Sequence, residues 1–143
     1  MTIVRYVLVL LVAIAAQADE KSKFLDVPLR INCGGYTVGE WLSDKDLAKG
    51  GERFVWPPGK AHDTSYVADP APQQVYNTVR HKTDHAYLLR VPPGRYKVRL
   101  HQTDFELAAD ARRMVYFINE VLVIEFMDPN RWSGAPRRVL IWD

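Results

Sequence analysis

Arg80, His81, Asp84 and His85 stand together in one short polar segment, with His101 further along the chain. These types can ligate a metal or bind a polar ligand. A His-x3-His spacing places two imidazoles on one face of a helix. No helical pattern surrounds this segment, so the pair reads as solvated turn histidines, and no metal or cofactor is expected. Asp104, Glu106 and Asp128 are the acids to weigh for glycoside hydrolysis. That reaction needs two carboxyl groups flanking the scissile bond at a set separation of roughly 5 to 9.5 Å. Asp104 and Glu106 fall on one face if extended, so a hydrolase is the less favoured reading. Cys33 is the sole cysteine. It has no partner for an intrachain disulfide and no activating His or Asp placed by sequence, and reads as a small packed thiol. No nucleophile elbow, phosphate loop or dinucleotide fingerprint occurs. No catalytic residue is therefore assigned.

The elements that must carry these groups are short. Nine prolines and eight glycines break the chain into many pieces. Leu25, Val27, Leu29 and Ile31 share a parity and predict a strand over 24–33, ended by Gly34-Gly35. Tyr36 to Ala71 reads as a long loop with one weak strand at 53–56. Its aromatics, Tyr36, Trp41, Phe54, Trp56 and Tyr66, are expected mostly as anchors. Val75 to Val79 predicts a short strand and Arg80 to His85 a polar turn. Tyr87, Leu89 and Val91, then Tyr96, Val98 and Leu100, alternate about Pro93-Gly94. That pattern predicts an antiparallel pair joined by a type II turn. Asp104 to Ala111 reads as a connection with a helical turn. Met114–Ile118 and Val121–Phe126 flank Asn119-Glu120, a two-residue hairpin signal. Arg138 to Trp142 closes the chain as a strand. Six or seven short strands without a persistent helix predict an all-β domain, a sandwich by preference.

The 143 residues suit one domain. Hydrophobic residues are 48% and charged ones 25%, a globular composition. A net charge of +2 with no Lys/Arg block argues against nucleic acid. Met1–Arg5, the 11-residue apolar run from Tyr6 to Ala16, and Ala16-Gln17-Ala18 have the layout of a secretory leader. The run is shorter than the about 20 residues a membrane span needs. The expected organisation is a signal peptide over 1–18 and a domain over 19–143. The domain would be secreted or held in the secretory lumen or periplasm, without membrane attachment after cleavage.

Several segments together resemble the malectin and malectin-like family. They are INCGG at 31–35, Trp41 and Asp44, QVYNTVRH at 74–81, YLLRVPPGRYKVRLHQTDFE at 87–106, VYFIN at 115–119, and Asp128. The resemblance implies a jelly-roll-like antiparallel β-sandwich lectin whose loops form a groove for a glucose disaccharide or glucan. Aromatic rings in such a groove stack on sugar faces, and polar groups take the hydroxyls. Trp41, Tyr66, Arg80, His81, His85, Tyr87 and Asp128 supply these types here. Each also has a plain packing role open to it: Trp41 and Tyr87 in the core, Arg80 paired with an acid, Asp128 capping the turn at Pro129-Asn130. His81 and His85 stand where the family commonly carries aromatic residues. The second reading is a non-catalytic extracellular domain that binds a protein partner or a second copy, its imidazoles having replaced stacking rings.

Overall fold

A computed structural model describes residues 6–12, 24–56, 61–105 and 113–143. Among them run β1 (Tyr6–Val12), β2 (Arg30–Asn32), β3 (Trp41–Ser43), β4 (Ala48–Val55), α1 (Gln73–Tyr76), β5 (Thr78–Leu88), β6 (Leu100–Gln102), β7 (Arg113–Ile118), β8 (Val121–Met127), α2 (Pro129–Ser133) and β9 (Leu140–Trp142). Strands dominate and each helix is about a single turn, so the chain is all-β. One five-stranded sheet has the order β4-β5-β1-β7-β8. Its outer pairs, β4–β5 and β7–β8, are antiparallel. β1 runs parallel to both of its neighbours. Two small sheets pair β2 with β3 and β6 with β9.

Tyr87, Tyr116, Ile124 and Met127 form the main buried cluster. Ile31 of β2, Leu100 of β6 and Trp142 of β9 pack against it, so the small sheets share a core with the large one. A second cluster gathers Ala71, Val75, Tyr76 and Val139, with Trp41 and Ile141 against it.

Several expected elements are corrected. Of the strand expected at Val75–Val79 only Thr78-Val79 is one: α1 ends at Tyr76 and β5 begins at Thr78. The expected polar turn at 80–85 lies inside β5, where His81 pairs with Glu52 and His85 with both Gly50 and Val9. That segment has no Gly or Pro to turn on; β4 pairs along it, and β1 joins from the other side at His85. The expected hairpin about Pro93-Gly94 does not form. Tyr87 already pairs with Ala48 and with Leu11, so no edge of β5 remains there for Tyr96–Leu100. Pro92-Pro93 also removes two ladder donors. Gly94 is outside the left-handed region a type II turn demands. Leu100 pairs instead with Trp142. Of the strand expected over 24–33 only Arg30–Asn32 forms one. The stretch read as a long loop holds β3 and β4. β4 bulges at Gly50-Gly51, both at positive φ. The helical turn expected over 104–111 falls largely outside the described residues.

The hairpin at Asn119-Glu120 forms as the spacing predicts, joining β7 to β8. Its central residues take φ 50 and 66, the sign pattern of a type I′ turn. Glutamate tolerates that region poorly. Glu120→Gly is expected to stabilise the fold by about 1 kcal/mol, read as a higher urea midpoint at unchanged m-value.

Candidate functional site

Asp44 follows β3 and is fully buried. Its Oδ2 accepts from the Gly34 N–H at 2.7 Å, Arg80 Nε at 2.7 Å and the Tyr87 hydroxyl at 3.1 Å. The Arg80 side chain is 9% exposed, so this ion pair is almost dry. Arg80 also donates to the Gly50 carbonyl at 3.0 Å. Asn32, equally buried, donates to the Tyr36 carbonyl at 2.8 Å and accepts from Thr78 at 2.6 Å. The segments at 31–35, at Asp44 and at 78–87 thus meet in one polar hub. Burial pushes the Asp44 carboxyl up. Donation from Arg80 and Gly34, with the guanidinium charge, outweighs burial and holds it below the usual carboxylate value. Burial pushes Tyr87 up, and the Cys33 thiol up to about 11, so neither ionises near neutrality. Cys33 is exposed as a residue while its thiol lies inward beside Tyr87. The raised value marks it as a poor nucleophile.

The seven residues singled out by sequence fall into separate neighbourhoods. Arg80 and Tyr87 hold Asp44. His85 is buried edge-on to Tyr87 at 5.9 Å. His81 meets Phe54 edge-on at 5.6 Å. Trp41 packs edge-on to His101 at 5.1 Å, against the second core cluster. Tyr66 is 71% exposed, its ring 4.3 Å from the Arg138 guanidinium. Asp128 is buried and caps α2, accepting the Arg131 N–H at 3.0 Å. Most of these groups serve packing or capping.

A row of rings that the sequence did not single out lies at the end of β4. Phe54 and Trp56 meet at 4.9 Å, and Trp56 stacks on Phe105 at 4.0 Å with 23° between planes. His62 meets Phe105 edge-on at 4.5 Å. His81 flanks the Phe54 end. Phe54 is 41% exposed, and Trp56 and Phe105 are half-buried. Polar groups ring the row. The Arg137 guanidinium is 5.7 Å from the Phe105 ring. His62 joins Thr103 through Nδ1 at 3.1 Å and Asn77 through Nε2 at 3.2 Å. The i, i+2 spacing of Phe54 and Trp56 was the one signal in the sequence. Nothing local links them to Phe105, which enters from the segment after β6.

His62 and His101 are both held below the ordinary imidazole value, chiefly by burial. Nearby arginines, Arg137 for His62 and Arg99 for His101, act in the same direction. The unfolded chain therefore takes protons first as pH falls. Their stabilisation is complete above about pH 6.5 and is lost as pH drops through the depressed folded values. Asp44 extends the loss below about pH 4 by the same sign. Urea midpoints are expected to be flat from pH 8 to 7 and to decline between 6.5 and 5. A His62→Gln/His101→Gln variant is expected to flatten that limb.

Other arrangements bear on the sequence reading. Asp104 is buried and Asp128 is the cap, while Glu106 lies outside the described residues. Among the described residues no group of three or more His, Cys, Asp or Glu could hold a metal ion. An open hollow of about 360 Å³ beside Phe24, Pro28, Leu29 and Leu42 contains none of the seven candidates.

Fold and contacts together define a class: an all-β domain with a buried Asp–Arg–Tyr hub and a half-exposed aromatic row. No family model, curated protein or solved structure matches the chain.

Proposed function

We propose that this chain is a malectin-like carbohydrate-binding domain, a jelly-roll-type sandwich that recognises glucose-containing oligosaccharides without catalysis. The observation that carries this reading is the row Phe54–Trp56–Phe105 with His81 and His62 at its ends. Sugars offer apolar C–H faces and a hydroxyl rim. Half-exposed rings suit the faces. Thr103, Asn77 and Arg137 suit the rim. Arg80, His85 and Tyr87 contribute from beneath, by fixing β5 and therefore His81. Trp41, Tyr66 and Asp128 are not part of this row.

The test is titration calorimetry with maltose, nigerose and short glucans. Saturable binding is expected, and Trp56→Ala is expected to weaken it at least about 10-fold. A folded domain, verified by circular dichroism, that binds no sugar on a broad glycan array would sink the reading.

A second reading, a protein-interaction domain, is favoured by β8. It is an edge strand with Val121 64%, Leu122 47% and Phe126 47% exposed. Such an edge is open to pairing with another chain. Sedimentation equilibrium separates the two: this reading requires self-association or a protein partner that Val121→Lys removes.

A further inference from the structure

The five-stranded sheet is joined only through β1. β7 and β5 do not pair with each other; each pairs with β1. Val9 to Val12 are in register with His85 to Leu88, and Tyr6 to Leu11 with Arg113 to Ile118. Without β1 the sheet separates into two antiparallel pairs, β4–β5 and β7–β8. Isolated two-stranded ribbons are marginally stable in water. The facing edges of β5 and β7 would stand two strand steps apart, roughly 9–10 Å. Their inward-facing N–H and C=O groups would lose their ladder partners.

The slot also sets the chemistry of its occupant. It needs an extended segment, parallel to both neighbours. Parallel strands flanked on both sides are typically apolar at every position, and YVLVLLV has that composition. No hairpin ties β1 to either flanking strand. The segment after it leads to β2, in a different sheet. Its place depends on pairing and not on a tight connection.

The same residues carry the leader-like layout. A segment cannot be both the helix of a discarded leader and the middle strand of the folded sheet. We propose that the β5–β7 slot is a strand-acceptor site and that its occupant is Tyr6–Val12, retained by the folded domain as a strand donor. Held this way, the segment remains bound even when the chain between it and β2 is cut. The mode is strand addition at the centre of a sheet.

The full chain, with a protease recognition sequence placed within residues 13–23, tests this. After cleavage the N-terminal fragment is expected to co-elute with the remainder on gel filtration and to leave only in denaturant. Loss of the fragment together with the cooperative transition overturns its retention as a bound donor. Loss of the fragment with an unchanged thermal midpoint overturns the slot. Independently, Leu10→Pro in the full chain removes a central ladder donor and is expected to lower the midpoint by about 10 °C. Peptide YVLVLLV with flanking lysines, present during refolding, is expected to restore the midpoint saturably. The same peptide carrying the proline is not. A wild-type midpoint for Leu10→Pro, or equal rescue by both peptides, overturns the proposal. None of these readouts depends on sugar binding.

Discussion

Asp44→Ala is expected to destabilise the domain by about 3–5 kcal/mol, enough to unfold much of the population. The carboxylate is wholly buried, and three donors converge on its Oδ2. Alanine leaves the Arg80 guanidinium nearly dry and without its anion, a charge that water cannot reach easily. The Tyr87 hydroxyl and the Gly34 N–H lose their acceptor at the same moment. Asp44→Asn keeps an acceptor oxygen for two of the donors but not the charge, so its effect is expected to be about half as large. Urea denaturation checks both. An Asp44→Ala midpoint within 1 kcal/mol of the parent would show that the hub does not hold the fold.

Gly34→Ala is expected to be comparably damaging. Gly34 takes φ +75, and a Cβ there would lie 2.2 Å from the Val79 carbonyl oxygen and 2.4 Å from its carbon. Both are backbone atoms of β5, so neither can swing aside. The left-handed conformation contributes about 1–2 kcal/mol of strain and the forced displacement about 1–3 more. Gly39 is the control. It also has positive φ, at +55, but nothing lies within 4 Å of its would-be Cβ. Gly39→Ala should show the conformational part alone, about 1 kcal/mol or slightly more. If the two alanine variants unfold at the same denaturant concentration, close approach to β5 is not what Gly34 supplies.

These two residues show how the chain's motifs work. INCGG, Asp44 and the TVR of β5 are far apart in sequence, and the resemblance that groups them implied a ligand groove. The structure joins them through an ion pair, a buried amide and a glycine pressed on a strand. The sequence predicts an acid partner for Arg80 without saying which acid. Its partner is 36 residues upstream. No periodicity or spacing encodes that pairing; it follows from β5 and the turn after β3 meeting over the main core. Asp128 is the opposite case. Its capping role depends on the three residues that follow it and was readable from Pro129-Asn130.

Where interactions are local, the amino-acid order was sufficient. Apolar parity and frequent turn residues imply an all-β chain. Asn119-Glu120 between two strand patterns implies the β7–β8 hairpin. Gly34-Gly35 implies positive φ or close backbone approach, and Gly34 has both. Those features depend on φ/ψ preferences within a few residues, which the order of residues carries directly. Competition for strand edges is not local. Arg80–His85 reads as a turn until β4 pairs along it. Tyr96–Leu100 looked like the partner of β5 until β4 and β1 had taken both edges. Phe105 joined Trp56 only because β6 delivers it there. The run at 6–16 reads as a leader when considered alone, and its first seven residues become a central strand once β5 and β7 present two open ladders. Backbone hydrogen bonds in a sheet are satisfied by whichever segment arrives, and only the assembled fold decides which one does.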